Sequence, residues 1–258
     1  MKLGIVGGGT VGQATARTYL EWVEEVRVFD LLATRRAHAL AAVLAADLVF
    51  ICLPENSIAE FFQACAEDET LPPFVIRSTV PIGFTRTMAG QYLLDVVHSP
   101  EFLTERCSFT DAQMPNRNIL GVATEGKACL HLKTLWFHRF PTVPILTMTS
   151  DESEAVKLFL NAFFGVKVAF FNEVHQLAMA LELDWETVLG GILGDGRIAH
   201  SHTTVPGPDG SFGFGGKCLP KDMETLASTM GSQGQCPHII RAALERNKED
   251  RRRWKKIA

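Results

Sequence analysis

Within one short stretch, Lys217, Cys218, Lys221 and Asp222 place a thiol, two ammonium groups and a carboxylate behind the flexible run Gly213-Phe214-Gly215-Gly216. A thiol is a nucleophile only as its thiolate, and nearby cations or a helix N-terminus lower its pKa. Of the six cysteines, Cys52, Cys65, Cys107, Cys129, Cys218 and Cys236, only Cys218 has such a setting. These residues alone leave open a cysteine that merely packs beneath a loop. The other five are scattered, and no C-x-x-C pair occurs, which argues against a zinc knuckle or a disulfide framework. They read as mostly buried small hydrophobes, and no metal site is expected.

A second chemistry lies at the N-terminus. The apolar run Leu3 to Val6 leads into Gly7-Gly8-Gly9-Thr10-Val11-Gly12, and the acidic Asp30 follows 18 residues after the last glycine. This strand, glycine turn, helix and acid are what a dinucleotide-binding fold requires. Gly7 permits the tight turn, Gly9 lets a pyrophosphate approach the backbone, and Gly12 lets helix and strand pack closely. The helix N-terminus is left aimed at the phosphates. Asp30 can accept from both ribose hydroxyls of NAD, whereas a 2′-phosphate would meet a like charge there. NAD is therefore expected over NADP, although Arg35 and Arg36 just beyond could bind a phosphate.

Short apolar runs must position these groups: Leu3 to Val6, Val26 to Phe29, Leu48 to Leu53, Phe74 to Arg77, Leu93 to Val97, Ile119 to Val122 and Val143 to Met148. Without strict alternation they read as strands buried on both faces of a parallel sheet. After Ser150 the pattern changes, and Glu152 to Glu182 reads as one long helix whose single Gly165 is tolerable. The fold class expected is α/β: a Rossmann-type doubly wound parallel sheet over residues 1–149, then a helical domain over 150–258 built on one long helix. Gly190 to Gly216 reads as an unusually long loop, followed by helices near Asp222 to Met230 and Pro237 to Lys255. The terminal RRRWKK reads as a solvated helix end.

With 47% apolar residues, a net charge of -4 and a pI near 6.1, the chain has no basic field that would attract nucleic acid or anionic lipid. Asn161, Lys167, Asn172, Glu173 and His175 interrupt the only stretch apolar enough to suggest a membrane span. No signal peptide is legible at MKLGIVGGG, so a cytoplasmic protein without a membrane or nucleic-acid partner is expected. The all-round apolar character of the long helix suggests a homodimer built through it.

Five motifs in order, STVPIG at Ser78 to Gly83, SPEFLTE at Ser99 to Glu105, KLFLNAF at Lys157 to Phe163, NE at Asn172 and Glu173, and GFGGKCLPKD at Gly213 to Asp222, together resemble the UDP-glucose/GDP-mannose dehydrogenase family. A matching Asn247 extends the resemblance into the last helix. It implies an NAD-dependent oxidation of the primary alcohol of a sugar or nucleotide sugar to the carboxylate. Cys218 would hold the intermediate as a thiohemiacetal and then a thioester. Lys157 and Asn161, a helical turn apart, would donate to the developing oxyanion. Asp222, with Lys221 beside it, would serve in proton transfer, Glu101 as acid or base, and Thr79 in positioning water. For the cofactor, Gly7, Gly9, Thr10, Val11, Gly12, Asp30, Arg35, Leu53, Pro54, Ser78, Thr79 and Glu105 match contacting positions. For the sugar, Phe102, Leu103, Lys157, Asn161, Arg197, Phe214 and Gly215 do, Arg197 reaching a neighbouring subunit.

The chain departs from the family pattern at Ser99, Arg106 and Glu55 and in PGPDG before Ser211. The resemblance also implies that the family's C-terminal nucleotide-binding domain is lacking. Two alternatives therefore stand beside the leading reading: a shortened relative acting on a small non-nucleotide alcohol, and a non-catalytic NAD-binding module.

Overall fold

The computed structural model describes residues 1–66, 70–104, 106–216 and 218–257, the last five by backbone alone. Glu105 and Lys217, both singled out by the sequence, lie outside the described residues. The chain divides into two compact units, Met1–Lys157 and Leu158–Ala258.

Unit 1 alternates strands and helices: β1 (Lys2–Val6), α1 (Thr10–Tyr19), β2 (Glu25–Phe29), α2 (Leu40–Leu44), β3 (Leu48–Ile51), α3 (Glu55–Cys65), β4 (Phe74–Ile76), α4 (Phe84–Tyr92), β5 (Val96–His98), α5 (Ser108–Gln113), β6 (Asn118–Val122), α6 (Lys127–Arg139) and β7 (Ile145–Thr149). Among the described residues the strands form one seven-stranded sheet in the order β2-β1-β3-β4-β5-β6-β7. Because successive side chains on a strand point to opposite faces, the central strands β1, β3, β4 and β5 feed two cores, whereas the expected burial on both faces fails at the sheet edges, where β2 is only partly buried and β7 is largely exposed. Leu48, Phe50, Val75 and Val97 pack with Leu132, Leu135 and Trp136 of α6 on one face. Val49, Ile51, Ile76 and Val96 pack with Val43 of α2, Ile58 and Phe62 of α3 and Met88 of α4 on the other. This double burial is why the strands read as unbroken apolar runs.

The expected doubly wound sheet is present, with one refinement: β6 pairs antiparallel with β5, so the sheet is mixed. A parallel partner needs a crossover that carries the chain back over the sheet. The segment between β5 and β6 instead spends itself on short α5, which packs on α1, where the Arg17 guanidinium lies 5.4 Å from the Phe109 ring centroid. A second difference concerns Leu93, expected to open a strand. It caps α4 in the left-handed conformation at φ 52° and is 92% exposed, so the strand starts at Val96.

The sheet order reverses at β1, whose neighbours are β2 and β3. Ligands of open α/β sheets bind at such a switch point, beyond the carboxyl ends of the strands. There the Gly7 turn follows β1, Leu53 and Pro54 follow β3, and Ser78 and Thr79 follow β4.

Helix α7 (Ser150–Ala180) begins in unit 1 and continues through unit 2, where α8 (Trp185–Leu193), α9 (Cys218–Ser232) and α10 (His238–Ile257) follow. Ala162, Ala169, Phe214, Met223, Leu226 and Leu244 form one apolar cluster; Phe171, Ala178, Trp185, Leu189 and Val205 form another. Asp184 caps α8, its carboxylate accepting from the Glu186 N–H, and that helix occupies the start of the stretch expected to be loop. Among the described residues no helix is long and apolar enough to cross a membrane, and no cluster of His, Cys, Asp and Glu could hold a metal ion. The expectation that most cysteines are buried fails. Cys107, Cys218 and Cys236 are exposed and only Cys65 is fully buried, because the three exposed ones lie at or between helix ends rather than on core faces.

Candidate active site

At the glycine turn, Gly7 has φ +102°, and a Cβ there would meet the Cys52 carbonyl oxygen at 2.5 Å. A Cβ on Gly12 would lie 1.8 Å from the Gly7 carbonyl oxygen, so α1 and β1 can pack this closely only with glycine. Gly9 has nothing within 4 Å of its Cβ position, which leaves open space over the N-terminus of α1. A cleft of about 190 Å³ opens there, lined by Gly9, Thr10, Gln13, Arg17, Arg35 and Phe109. Two guanidinium groups and a helix N-terminus suit a pyrophosphate. Asp30 is fixed at the end of β2, where its carboxylate accepts from the N–H groups of Gly8 at 2.7 Å and Leu32 at 2.8 Å. Arg36 donates to the carbonyls of Asp30 and Leu31, so Arg35 is the arginine that faces the cleft.

The turns after β3 and β4 are tied together by the Ser78 hydroxyl, which donates to the Leu53 carbonyl at 2.5 Å. Below them His98 is wholly buried, and desolvation pushes its pKa down to about 3. Its Nε2 lies 3.2 Å from the Ser78 carbonyl and its Nδ1 2.8 Å from the Ser153 hydroxyl. A carbonyl only accepts, so the neutral ring carries its proton on Nε2, and Nδ1 accepts from Ser153. Desolvation also pushes the Cys52 thiol, just after β3, up to about 12, so it keeps its proton.

Glu101 and Lys157, expected in the reaction, meet inside unit 1 with Nζ and Oε1 3.1 Å apart. The other Glu101 oxygen accepts from the Leu103 N–H at 2.6 Å. Phe102 is held between two cations, the Arg117 guanidinium at 4.4 Å and the Lys157 ammonium at 5.4 Å from its ring centroid. Glu154, one turn before, has both carboxylate oxygens bonded at the start of α4, to Gly83 N–H at 2.6 Å and Thr85 N–H at 2.7 Å. That contact fixes the far end of the 78–83 turn carrying Thr79.

In unit 2, Cys218 is exposed at the first residue of α9, so the thiol is reachable. Asp222, one turn on, is wholly buried. The Asn161 amide donates to its Oδ2 at 2.6 Å, and the Lys221 ammonium lies 2.7 Å from its Oδ1. Asn161, Lys221 and Asp222 thus form one cluster beside the cysteine's helix turn. The Phe214 ring is buried in the first apolar cluster, and Gly215 lies against the Arg251–Asp209 ion pair. Arg197, after α8, is exposed and forks onto Asp195.

The sequence reading missed Arg17, which lines the cleft over the N-terminus of α1. Its signal was helical spacing, since Thr10, Gln13, Ala14 and Arg17 share one face of α1. It also gave no role to Asn172 and Asn247, whose contacts are described below.

Residues 151–249 match the family model for the UDP-glucose/GDP-mannose dehydrogenase family, central domain. A UDP-glucose 6-dehydrogenase of Campylobacter jejuni is 37% identical over 177 residues, which cover 67% of this chain and 42% of that protein. The chain therefore spans less than half the length of that relative. Among solved structures, a UDP-glucose dehydrogenase from Pyrobaculum islandicum superposes with a TM-score of 0.81 at 25% identity, over 96% of this chain and 68% of that one. A Mycobacterium tuberculosis 3-hydroxyisobutyrate dehydrogenase shares the fold, with a TM-score of 0.74 at 18% identity over 95% of this chain and 91% of its own.

Proposed function

This chain belongs to the UDP-glucose/GDP-mannose dehydrogenase family, and from that premise we propose that it oxidises the primary alcohol of a nucleotide sugar to the carboxylate with NAD. The observation that carries the reading is the exposed thiol at the first residue of α9 with the buried Asn161–Asp222 pair one turn behind it and the exposed Lys221 on that carboxylate. The open space over Gly9 and the arginine-lined cleft fit the pyrophosphate of the dinucleotide, and Asp30 at the end of β2 fits its ribose. When bound, NAD accepts a hydride in each of two oxidations.

In the first oxidation the alcohol loses a hydride from carbon and a proton from oxygen, and Asp222 takes the proton by way of water. The Cys218 thiolate then adds to the aldehyde carbon, forming a carbon–sulfur bond, and the carbonyl oxygen becomes an oxyanion. Lys157 and Asn161 donate to that oxygen. Lysine has three N–H bonds and an amide two, so the contacts to Glu101 and Asp222 leave each with donors to offer. Loss of a second hydride from the same carbon gives a thioester. Water held by Thr79, its proton taken by Glu101, cleaves the carbon–sulfur bond and releases carboxylate and thiol. Covalent capture matters because a free aldehyde would hydrate and escape.

In solution we expect a homodimer through α7. Phe159, Phe163, Phe170 and Leu177 are more than half exposed and form a stripe along one side of the helix, as spacings of four and seven residues require. Sedimentation should find two copies, and Phe163→Glu should give monomer. For the activity, the chain is incubated with NAD and UDP-glucose and NADH counted against sugar consumed. Two NADH per sugar are expected, and Cys218→Ser should yield no carboxylate. A Cys218→Ser variant that still produced two NADH per sugar would remove the thiol from the reaction. NAD binding without turnover would favour the non-catalytic module, and turnover of simple alcohols alone the shortened relative.

A further inference from the structure

Among the described residues of the loop that leads to Cys218, none belongs to a β-ladder. Two of its successive backbone N–H groups are instead received by buried amide side chains. Gly213 N–H donates to Asn172 Oδ1 at 2.9 Å, and Phe214 N–H donates to Asn247 Oδ1 at 2.7 Å. Asn172 lies on α7 and Asn247 on α10, and they are 1% and 8% exposed. The Asn172 amide is aimed by its own Nδ2, which donates one turn back to the Val168 carbonyl at 2.8 Å, leaving Oδ1 for the loop. Gly213 has φ +71°, and a Cβ there would come within 2.3 Å of Asn247 Oδ1, so the loop approaches this close only as glycine. Under it, Asp250 is fixed by Gln176 at 2.7 Å and Arg246 at 3.1 Å. The chain then runs through Gly216, also left-handed at φ +72°, to Cys218.

We infer that Asn172 and Asn247 are positioning residues that set the place of the Cys218 sulfur by latching the loop before it. This rests on the reading of Cys218 as the nucleophile. Neither amide need touch substrate; each acts through the backbone of Gly213 and Phe214. Asparagine suits such a latch because its side chain is short, is uncharged and so can be buried, and carries an acceptor for a loop N–H.

The test uses Asn172→Ala, Asn247→Ala and Asn247→Asp in the full chain, the last keeping an acceptor oxygen for Phe214 N–H. Cys107 and Cys236 are replaced by Ser throughout, so that alkylation reads Cys218. A misplaced reacting atom lowers the chemical step, so each alanine variant should lose at least about tenfold in kcat. The KM for NAD should stay unchanged, and Asn247→Asp should return most of the rate. Independently of turnover, the rate of Cys218 labelling by iodoacetamide should change at least about fivefold in the alanine variants and revert in Asn247→Asp. Where an alanine variant is too unstable to purify, Asn172→Ser and Asn247→Ser, too short to reach the loop, read the same rates. Labelling at the parental rate in the alanine variants overturns the latch, as does equal impairment of Asn247→Ala and Asn247→Asp. If the parent shows no activity, the nucleophile reading fails by itself, and the labelling arm still decides the latch.

Discussion

The two units hold their loops by different means, a strand ladder with added polar ties such as Asp30 on Gly8, Ser78 on Leu53 and Glu154 on Gly83 in the one, and polar ties without a ladder in the other. In unit 1 the turns after β1, β3 and β4 emerge from a ladder whose strands are sealed on both faces by apolar side chains, and the register of the sheet sets where each turn begins. In unit 2 the described residues just before α9 belong to no ladder, and two buried amides hold them instead, Asn172 on Gly213 and Asn247 on Phe214. Apolar burial is non-directional and tolerant of small shifts, whereas a buried amide is specific in direction and costly to leave unmade. Unit 1 thus presents its turns from a ladder, and unit 2 holds the loop before Cys218 at a few directed points.

That contrast can be broken from either side in one experiment. Phe62 of α3, wholly buried against the sheet among Phe61, Phe74 and their neighbours, belongs to the apolar core of unit 1, and Phe62→Ala should cost about 3–5 kcal/mol. Asn161→Ala in unit 2 should cost less, about 1–3 kcal/mol, since it strips a buried carboxylate of one donor and leaves Lys221 in place. Hydrogen exchange read by mass spectrometry should localise the first loss to β3 and β4 and the second to α9. Equal loosening of both units by either change would dissolve the distinction.

His98 sharpens it further, as a polar exception in the apolar unit. Its pKa in the fold lies near 3, against an ordinary 6.5, because burial disfavours the cation. Above about pH 6.5 the ring is neutral folded or unfolded. Below that, unfolding takes up a proton, so stability is lost at about 1.4 kcal/mol per pH unit until the pH approaches 3. Urea unfolding at pH 6.5 and 5.5 should show that loss in the unaltered chain beyond whatever His98→Gln shows. A His98→Gln variant with the same pH slope would mean that the ring titrates freely.

Much of unit 1 was legible because its physics is periodic. All the strands fell at or near apolar runs, and the glycines at positions 7, 9 and 12 each have a steric or spatial reason that spacing alone suggested. Leu93 was misread because an exposed apolar residue in a left-handed cap looks in sequence like the start of a strand. The antiparallel β6 was invisible, since strand direction depends on where the connecting segment packs. In unit 2 the long helix was plain, but Asn172 and Asn247 carried no periodic signal. What a buried amide does is decided by the backbone opposite, which lies 41 and 33 residues away along the chain. Cys218 with Lys221 beside it stood out by chemistry, whereas Asp222 and Asn161 were singled out only by the motifs that carry the family resemblance.

Gly165 passed in the sequence as a tolerable flaw in a long helix, yet a Cβ there would lie 2.0 Å from the sulfur of Met223, itself wholly buried on α9. The missing methyl is a notch into which the thioether seats, five residues after Cys218. Drift at one of these positions is thus bound to drift at the other: a larger residue at 165 calls for a smaller one at 223. Families of such chains should carry the two as a covarying couple, a record in ancestry of a contact that no single sequence discloses.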